Sequence, residues 1–378
     1  MAPLENLIVL EFCQYMSGPS AGLRMADLGA TVIKIERPGS GEGGRQLAIK
    51  NLFAGNNSVL FHTINRNKQS YSANLKDPED LKKIKQLIAK ADVMIHNFRP
   101  GVMEKLGLGY QDARQINSRI IYGEISGYGK EGKWKNKPGQ DLLLQSVSGL
   151  TWLSGNKNDP PIPFGLSIAD YMCGTHLVQG ILSALISRGK TGQGMLVEVN
   201  LLASLMDFQF EVITTHLNDG NQLPDRAEYG NAHAYLSAPY GIYATKDGYL
   251  AMAMENLEYL TKTLAIPQIK PLIKDGFTNR AAIMEAIAGA LKTKNTAEWL
   301  AIFEPADIWC AAVQDYHQFT AHEGYKAMNL EQEIEFPDGK KLKTTRCPIR
   351  IDGQIFKSKR PGTEVGADNQ SIEKNIIA

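Results

Sequence analysis

Short apolar runs alternate with helical segments along the first third of this 378-residue chain. The predicted strands are residues 7–12, 31–36, 93–97, 119–125 and, further along, 195–200. Asp77 followed by Pro78 indicates the start of an intervening helix, because aspartate caps helices and proline fits the first turn. The alternation predicts an α/β fold whose large domain contains a Rossmann-like parallel sheet, covered by helices on both faces. In such sheets ligands bind beyond the carboxyl ends of the strands.

The character of the sequence changes after residue 218, where a smaller α+β domain is predicted. Residues 243–254 are typical of a hairpin with a turn at Gly248, and helices are predicted near 280–291 and 296–303. We therefore assign residues 1–218 to the N-terminal part of the large domain and 225–325 to the small domain. Residues 330–378 are predicted to return to the large domain.

Composition excludes several classes of function. The chain has 41 basic and 40 acidic residues, so no global charge points to nucleic acid or to a membrane surface. Four cysteines lack CxxC spacing and seven histidines lack metal-ligand spacing, which predicts neither a disulfide framework nor a metal site. No signal peptide and no apolar run of about 18 residues is visible. We expect a cytoplasmic protein.

Asp170 stands where a turn-rich stretch gives way to a helical pattern. As a helix N-cap, its side chain would accept a hydrogen bond from a backbone N–H group of the first turn. The same position would keep the carboxylate ionised through the helix dipole and expose it as a nucleophile. The local pattern alone favours the cap.

Basic residues follow several predicted strands. Arg37 comes directly after the strand 31–36, and Arg99 follows the strand 93–97 in the same way. Lys76, Lys105 and Lys137 also fall in predicted connections. Each residue alone is typical of a solvated surface, but several cations at one sheet edge indicate a site for a polyphosphate. The chain lacks Walker and GxGxxG sequences, so a standard nucleotide-binding loop is not predicted.

Six motifs occur together in a characteristic order. They are Gly18-Pro19, residues 32–39 (VIKIERPG), 65–68 (NRNK), 91–101 (ADVMIHNFRPG), 126–129 (SGYG), and Asp170 ahead of a helix. In this combination the chain resembles the class III CoA-transferases, the CaiB/BaiF family, and the resemblance covers essentially the whole chain.

The resemblance implies an interlocked homodimer that binds CoA at the edge of the large domain. The residues that match the family's CoA-binding positions are Arg37, Lys76, Asn97, Lys105 and Lys137, with Arg99 as an addition. Coenzyme A and acyl-CoA would be substrates, with no permanently bound cofactor, and small carboxylic acids would be the other partners.

The resemblance also implies a covalent role for Asp170. Its carboxylate would form an aspartyl–acyl anhydride with the donor, and then an aspartyl-CoA thioester. Gln140 stands where the related racemases have a histidine base, and a neutral amide cannot remove an α-proton. Gln140 would instead hydrogen-bond a carboxyl or thioester oxygen.

Two alternatives stay open. One is a 2-methylacyl-CoA racemase or epimerase, because Glu255 lies near an acidic residue of the racemases. The other is a protein that binds acyl-CoA without catalysis. Differences from the formyl-CoA transferases at Met16 and at residues 229–235 put formate and oxalate in doubt, so the acids are not identified by the sequence.

Overall fold

The computed structural model describes residues 2–358 and 360–377 and divides the chain into two compact units. The first unit, which we call the large unit, contains residues 1–144, 167–208 and 329–378. The second, the small unit, contains residues 145–166 and 209–328.

The large unit is built on a six-stranded sheet. Its strands are β1 (Ile8–Phe12), β2 (Thr31–Glu36), β3 (Gln69–Ser72), β4 (Val93–His96), β5 (Ile121–Ser126) and β6 (Leu196–Asn200). All neighbouring strands pair in parallel, in the order β3-β2-β1-β4-β5-β6. The prediction of a large parallel sheet is confirmed. Because the order reverses between β1 and β4, the crevice beyond their carboxyl ends is the expected ligand site.

The helices run along the chain in the following order. They are α1 (Ser17–Asp27), α2 (Val59–Asn65), α3 (Pro78–Lys90), α4 (Val102–Lys105), α5 (Tyr110–Ile116), α6 (Asp141–Val147), α7 (Ile168–Thr191), α8 (Leu201–Phe208), α9 (Phe210–Asn218), α10 (Leu257–Thr263), α11 (Arg280–Leu291), α12 (Thr296–Phe303), α13 (Tyr316–Ala321), α14 (Glu323–Met328) and α15 (Asn369–Ile372).

Helices pack on both faces of the parallel sheet. On one face, Leu87 and Ile88 of α3 join Leu10 and Met94 in a fully buried apolar cluster. On the other face, a Cβ built on Gly123 would lie 3.0 Å from Leu177 of α7, so helix and sheet are in close contact there. Burial of both faces explains the mostly apolar sequences of β1 and β4. Strand β3 has the polar sequence QSYS and was not among the predicted strands.

The small unit has its own sheet and core. Strands β7 (Gly241–Ala244), β8 (Tyr249–Met252) and β9 (Cys310–Ala312) form an antiparallel sheet in which β8 is central. The predicted turn at Gly248 joins β7 to β8, and Gly248 N donates to Thr245 Oγ1 at 3.0 Å. Leu250, Ile287 and Phe303 belong to the buried core of this unit.

Antiparallel pairs complete the described strands. In the large unit β10 (Glu331–Glu335) pairs with β11 (Lys341–Thr345), and β12 (Arg350–Ile351) with β13 (Gln354–Ile355). Residues 53–54 and 57–58 form one further two-residue ladder.

Two element boundaries differ from the sequence predictions. The sequence pattern predicts a helix over residues 21–27, but α1 begins at Ser17, because Pro19 lies within the first turn, where its missing N–H group costs nothing. The pattern also predicts one long helix over about 201–217, which is interrupted at Gln209 and forms α8 and α9.

The predicted limits of the large domain, 1–218, also differ from the observed units, because residues 145–166 and 209–218 belong to the small unit. Arg226 of the small unit is buried and donates to backbone carbonyls of residues 145–166, including Ser154 O at 2.6 Å. Asn231 Nδ2 donates to Leu153 O at 3.2 Å. These bonds satisfy carbonyl groups of a loop segment and hold residues 145–166 in the small unit.

Candidate active site

The crevice beyond β1 and β4 is bridged by Asn97. Its Oδ1 accepts from Gln14 N at 2.9 Å, and its Nδ2 donates to Gln14 O at 2.8 Å. Asn97 follows β4 and Gln14 follows β1, so one side chain ties together the two loops at the point where the strand order reverses. The predicted CoA-binding residue Asn97 therefore also fixes the backbone that any ligand in this crevice would meet.

The loop after β1 is held in an uncommon conformation. Tyr15 has a φ of 62°, which is rare for an aromatic residue. Its N–H group donates to Glu42 Oε2 at 3.0 Å. Together with the two bonds from Asn97, this contact determines the path of the loop into α1.

Helices α1 and α7 meet beside this loop, and their meeting brings Ser17 to Asp170. A Cβ built on Gly174 of α7 would lie 2.6 Å from Ser17 O and 2.2 Å from Ser20 Oγ, so only glycine allows this close contact. The Ser17 side chain hydrogen-bonds with the carboxylate of Asp170. The Ser17 hydroxyl oxygen also accepts a long bond from Asn97 Nδ2 at 3.4 Å.

The prediction that Asp170 caps its helix is wrong. Helix α7 begins at Ile168 with Ser167 as its N-cap, and Asp170 is the third helical residue. The chain turns into the helix at Gly165, which has a φ of 82°, so the N-cap lies three residues earlier than the sequence pattern suggested. The Asp170 side chain is thus available for contacts outside its own first turn.

The pKa of Asp170 is raised to about 6. Burial is the largest cause, the negative charge of Asp141 adds to it, and the hydrogen bond with Ser17 opposes it. The helix start was expected to favour the ionised form, but desolvation and the charge of a second carboxylate have the larger effect on the pKa. A carboxylate with such a pKa is ionised at neutral pH and is more basic than an exposed aspartate.

Gln140 is connected to Asp170 through its sequence neighbour. Asp141 is buried at the first turn of α6, and its Oδ2 accepts the Asp170 N–H at 3.1 Å. Gln140 directly precedes Asp141 and is exposed. The structure thus brings Gln140 to the neighbourhood of the nucleophile candidate without showing a contact between the two side chains.

The five basic residues predicted to bind CoA follow the carboxyl ends of four strands. Arg37 follows β2, Lys76 follows β3, and Arg99 and Lys105 lie in the segment after β4. Lys137 is in the loop after β5, with its Nζ 5.5 Å from the centre of the Trp134 ring. All five side chains are exposed, and within residues 2–358 and 360–377 none forms an ion pair. Uncompensated positive charge along one sheet edge suits a phosphate-bearing ligand.

A buried ionic cluster lies beneath this edge. Glu11, on β1, is fully buried; its Oε1 is 2.9 Å from Lys34 Nζ and its Oε2 is 2.8 Å from Lys68 Nζ. Lys34 Nζ also donates to Cys13 O at 2.8 Å, and Lys68 Nζ donates to Pro19 O at 2.8 Å. The cluster therefore supports both ends of the segment that carries Ser17.

Sequence reasoning missed Ser17, Asp141, Glu11 and Glu42 as parts of this site. Ser17 lies directly before the Gly18-Pro19 motif, and Asp141 directly after Gln140, so proximity to the motifs was the available signal. Glu11 lies in the predicted apolar strand 7–12, and a buried carboxylate needs a cation or hydrogen-bond donor beside it, which was the available signal. Nothing in the local sequence indicates which cations it binds.

Residues 4–369 match the family described as CoA-transferase family III. A human protein named succinyl-CoA:glutarate CoA-transferase is 30% identical over 383 residues, which is 99% of this chain and 86% of that protein. An Acetobacter aceti protein named acetyl-CoA:oxalate CoA-transferase is 31% identical over 389 residues, covering 100% and 96%. A solved CaiB/BaiF family protein from Brucella suis is 28% identical, with a TM-score of 0.84 and 99% coverage of both chains.

None of the helices described for this chain is both long enough and apolar enough to span a membrane. The cytoplasmic location stays a prediction.

Proposed function

Because this chain belongs to CoA-transferase family III and is an enzyme of the transferase type, we propose that it moves CoA from an acyl-CoA donor to a carboxylic acid through covalent intermediates on Asp170. The observation that carries this proposal is the carboxylate of Asp170 beside the sheet's switch point, largely buried, with a pKa of about 6. A carboxylate of raised pKa is a stronger nucleophile than an exposed one and is still charged at neutral pH.

The proposed reaction begins with attack by an Asp170 oxygen on the thioester carbonyl carbon. The C–S bond breaks, CoA leaves as its thiolate, and an aspartyl–acyl anhydride remains. The thiolate then attacks the aspartyl carbonyl carbon, and the donor acid leaves as a carboxylate. The acceptor carboxylate attacks the resulting aspartyl-CoA thioester, and the two steps run in reverse. Every intermediate keeps an activated acyl group, so no ATP is needed.

These five basic residues are proposed to bind the phosphates of CoA, in agreement with their exposure and with the absence of ion pairs to them among residues 2–358 and 360–377. Gln140 is proposed to hydrogen-bond a carboxyl or thioester oxygen of the substrates. The relatives' names specify glutarate, oxalate and succinyl-CoA or acetyl-CoA for those proteins, and we propose small carboxylic acids of this kind for this chain.

We also propose that the working form is the interlocked homodimer expected from the resemblance. Helix α9 has no buried residue, although its sequence includes Phe210, Ile213 and Leu217. Phe210 and Leu217 are each 67% exposed. Apolar side chains at such exposure favour coverage by a second chain.

Trapping of the covalent intermediate tests the proposed function. The protein is mixed with a series of acyl-CoA donors, treated with hydroxylamine and digested, and the peptide that contains Asp170 is examined by mass spectrometry. A hydroxamate on Asp170 is expected with at least one donor. An unmodified peptide with every donor would count against the mechanism.

The racemase alternative makes a different prediction at the α-carbon. Deuterium from solvent should enter the α-position of a 2-methylacyl-CoA if a base removes that proton. The transferase predicts CoA exchange between acids without deuterium uptake, because Gln140 is a neutral amide and cannot accept the proton.

The pH dependence of transfer is expected to have an acid limb near pH 6. Below this pH the Asp170 carboxyl is protonated and loses its nucleophilicity, since its pKa is about 6.

Asp141→Asn removes the negative charge that helps to raise this pKa, while the amide oxygen can still accept the Asp170 N–H. The limb should therefore shift to lower pH in this variant. Initial rates between pH 4.5 and 8 provide the measurement, and an unshifted limb contradicts the assignment to Asp170.

The edge cations are expected to affect the KM for acyl-CoA more than kcat. Lys105→Ala or Arg37→Ala removes one charged contact to a phosphate, worth about 1.5–3 kcal/mol, which corresponds to a rise in KM of roughly 10- to 100-fold. Lys190→Ala is the matched control, because Lys190 is exposed in the last turn of α7, the end opposite to Asp170. Equal KM values for the control and the two edge variants would contradict the proposed phosphate site.

A further inference from the structure

The Ser17 side chain contacts Asp170 but has no role in the reaction steps proposed so far. Ser17 is the first residue of α1, is only 3% exposed, and its side chain hydrogen-bonds with the Asp170 carboxylate. Its oxygen is 3.4 Å from Asn97 Nδ2, which can only donate. A serine hydroxyl has a single proton, so with its oxygen accepting from Asn97 that proton is directed at Asp170.

Asn97 is itself held in a fixed orientation. Its Oδ1 and Nδ2 bind the N–H and the C=O of Gln14, so a rotation of the amide by 180° would oppose both bonds. The order of donors and acceptors from Gln14 through Asn97 and Ser17 to Asp170 is therefore determined by geometry. This order delivers a proton donor to the side chain of the nucleophile.

Asp170 changes its chemical role during the proposed reaction. In the first step its oxygen is the nucleophile, and in the second step its own carbonyl carbon is the electrophile. When the CoA thiolate attacks that carbon, a C–S bond forms and an electron pair moves onto the Asp170 carbonyl oxygen. The tetrahedral intermediate collapses when the C–O bond to the donor acid breaks. One negative charge enters with the thiolate and one leaves with the carboxylate.

We propose that the Ser17 hydroxyl stabilises the oxyanion that forms on the side chain of Asp170 itself, which makes Ser17 a catalytic residue for formation and breakdown of the aspartyl-CoA thioester. This inference rests on the proposed function. A donor that already binds the ground-state carboxylate is in position when negative charge returns to the same oxygen, and it needs no rearrangement.

Two neighbouring side chains do not suit this role. The Asp141 carboxylate raises the pKa of Asp170, so its charge would oppose an oxyanion there. The Asn97 amide is held by Gln14 and donates to the Ser17 hydroxyl.

The two steps should respond differently to the loss of this hydroxyl. In Ser17→Ala the Asp170 carboxylate loses a hydrogen bond to its ionised form, so its pKa rises and the acid limb moves to higher pH. Above that limb the first attack should be as fast as before, because the nucleophile is not weakened. The second step loses an oxyanion donor and is expected to slow by about 10²-fold.

Rapid acid quenching followed by intact-protein mass spectrometry separates the steps. The anhydride adds the mass of the acyl group, whereas the thioester adds the mass of CoA. Ser17→Ala is expected to accumulate the acyl adduct and to form the CoA adduct slowly. Ser17→Thr keeps a hydroxyl and should restore the second step at least in part.

Ser20→Ala is the matched control. Ser20 is on the same helix one turn further, and its hydroxyl donates to Ser17 O at 2.8 Å rather than to Asp170. Ser20→Ala removes a hydroxyl group from the contact between α1 and α7, as Ser17→Ala does. If loss of a hydroxyl only weakened the packing of these helices, both variants would form the adducts more slowly. The control should form both adducts with the kinetics of the original protein.

The other possible results would contradict one or both proposals. If Ser17→Ala forms the CoA adduct as fast as the original protein, or if both steps slow equally, the catalytic role of Ser17 is overturned while the transferase proposal stands. If the unsubstituted protein forms no adduct on Asp170 with any donor, the proposed function fails, and this inference fails with it.

Discussion

Asp170→Asn is expected to lower the rate of CoA transfer by about 10⁴-fold or more, because an amide cannot form the anhydride. The same substitution is expected to make the protein more stable at neutral pH. This combination distinguishes a nucleophile from a residue that stabilises the fold, since loss of a stabilising side chain would make the protein less stable.

The gain in stability follows from the direction of the pKa shift. Folding raises the pKa of Asp170 from 3.8 to about 6, so the folded state favours the neutral carboxyl. The stabilisation from this preference is fully present below pH 3.8 and is lost as the pH rises through about 6. Above pH 6 the ionised carboxylate is therefore a cost, which an uncharged asparagine avoids.

The measurement is chemical denaturation of both proteins at pH 7.5 and at pH 4. At pH 7.5 the free energy of unfolding of the variant should exceed that of the original protein by about 1–2 kcal/mol. This value is smaller than the full pKa shift would give, because the side chain is not completely buried. At pH 4 the difference should nearly vanish. Asp207→Asn removes an exposed carboxylate on α8 and should change neither transfer nor stability by more than about 0.5 kcal/mol. A less stable Asp170→Asn variant at pH 7.5 would contradict this account.

Most of the sheet could be predicted from the sequence because its information is local. Five of its six strands coincide with the predicted, mostly apolar runs, and β2 has its predicted limits, Thr31–Glu36. Strand β3 was missed, because its sequence, QSYS, is polar. The cap of α3 was also readable, since the Asp77 side chain accepts from Glu79 N and Asp80 N as the Asp-Pro pair predicts. These features depend on neighbours in the sequence and not on the rest of the fold.

The environment of Asp170 was not readable for the opposite reason. Its pKa depends on Asp141, 29 residues earlier, and on Ser17, on another helix. The close contact of α1 with α7 that unites them requires Gly174, whose role no single-sequence pattern reveals. The motifs thus identified the reacting residue, while its orientation and its chemical state depended on tertiary contacts.

Glu11→Gln is expected to lower the free energy of unfolding by about 3–5 kcal/mol, because the buried ammonium group of Lys68 loses the carboxylate with which it pairs. Lys34 loses the same partner but keeps its pair with Glu42 Oε1 at 3.5 Å. Glutamine keeps the size of the side chain and one acceptor, so the effect reports the charge rather than a cavity. Glu373→Gln is the control. It breaks an exposed pair in which the Lys83 side chain is 42% accessible, and such pairs contribute at most about 1 kcal/mol.

The destabilisation should increase as the pH falls. Burial already lowers the pKa of Lys68 to about 8, although Glu11 opposes this shift. Without Glu11 the pKa of Lys68 should fall further, since its neighbour Lys34 adds positive charge. A lysine with a depressed pKa favours its neutral form in the folded state, so stability is lost as the pH falls through the folded pKa. The loss measured at pH 6 should exceed that at pH 9.

Lys68→Met in the Glu11→Gln background provides the last test of the cluster. The double variant replaces Lys68, which has lost its pair with Glu11, with an apolar side chain, so it should recover part of the lost stability. The double variant should still transfer CoA more slowly than the original protein, because Lys68 Nζ also donates to Pro19 O, near Ser17. Recovery of stability together with a reduced transfer rate would separate two effects of one buried cluster. Its charge balance maintains the fold, and its bonds to backbone carbonyls position the residues that act on the substrate.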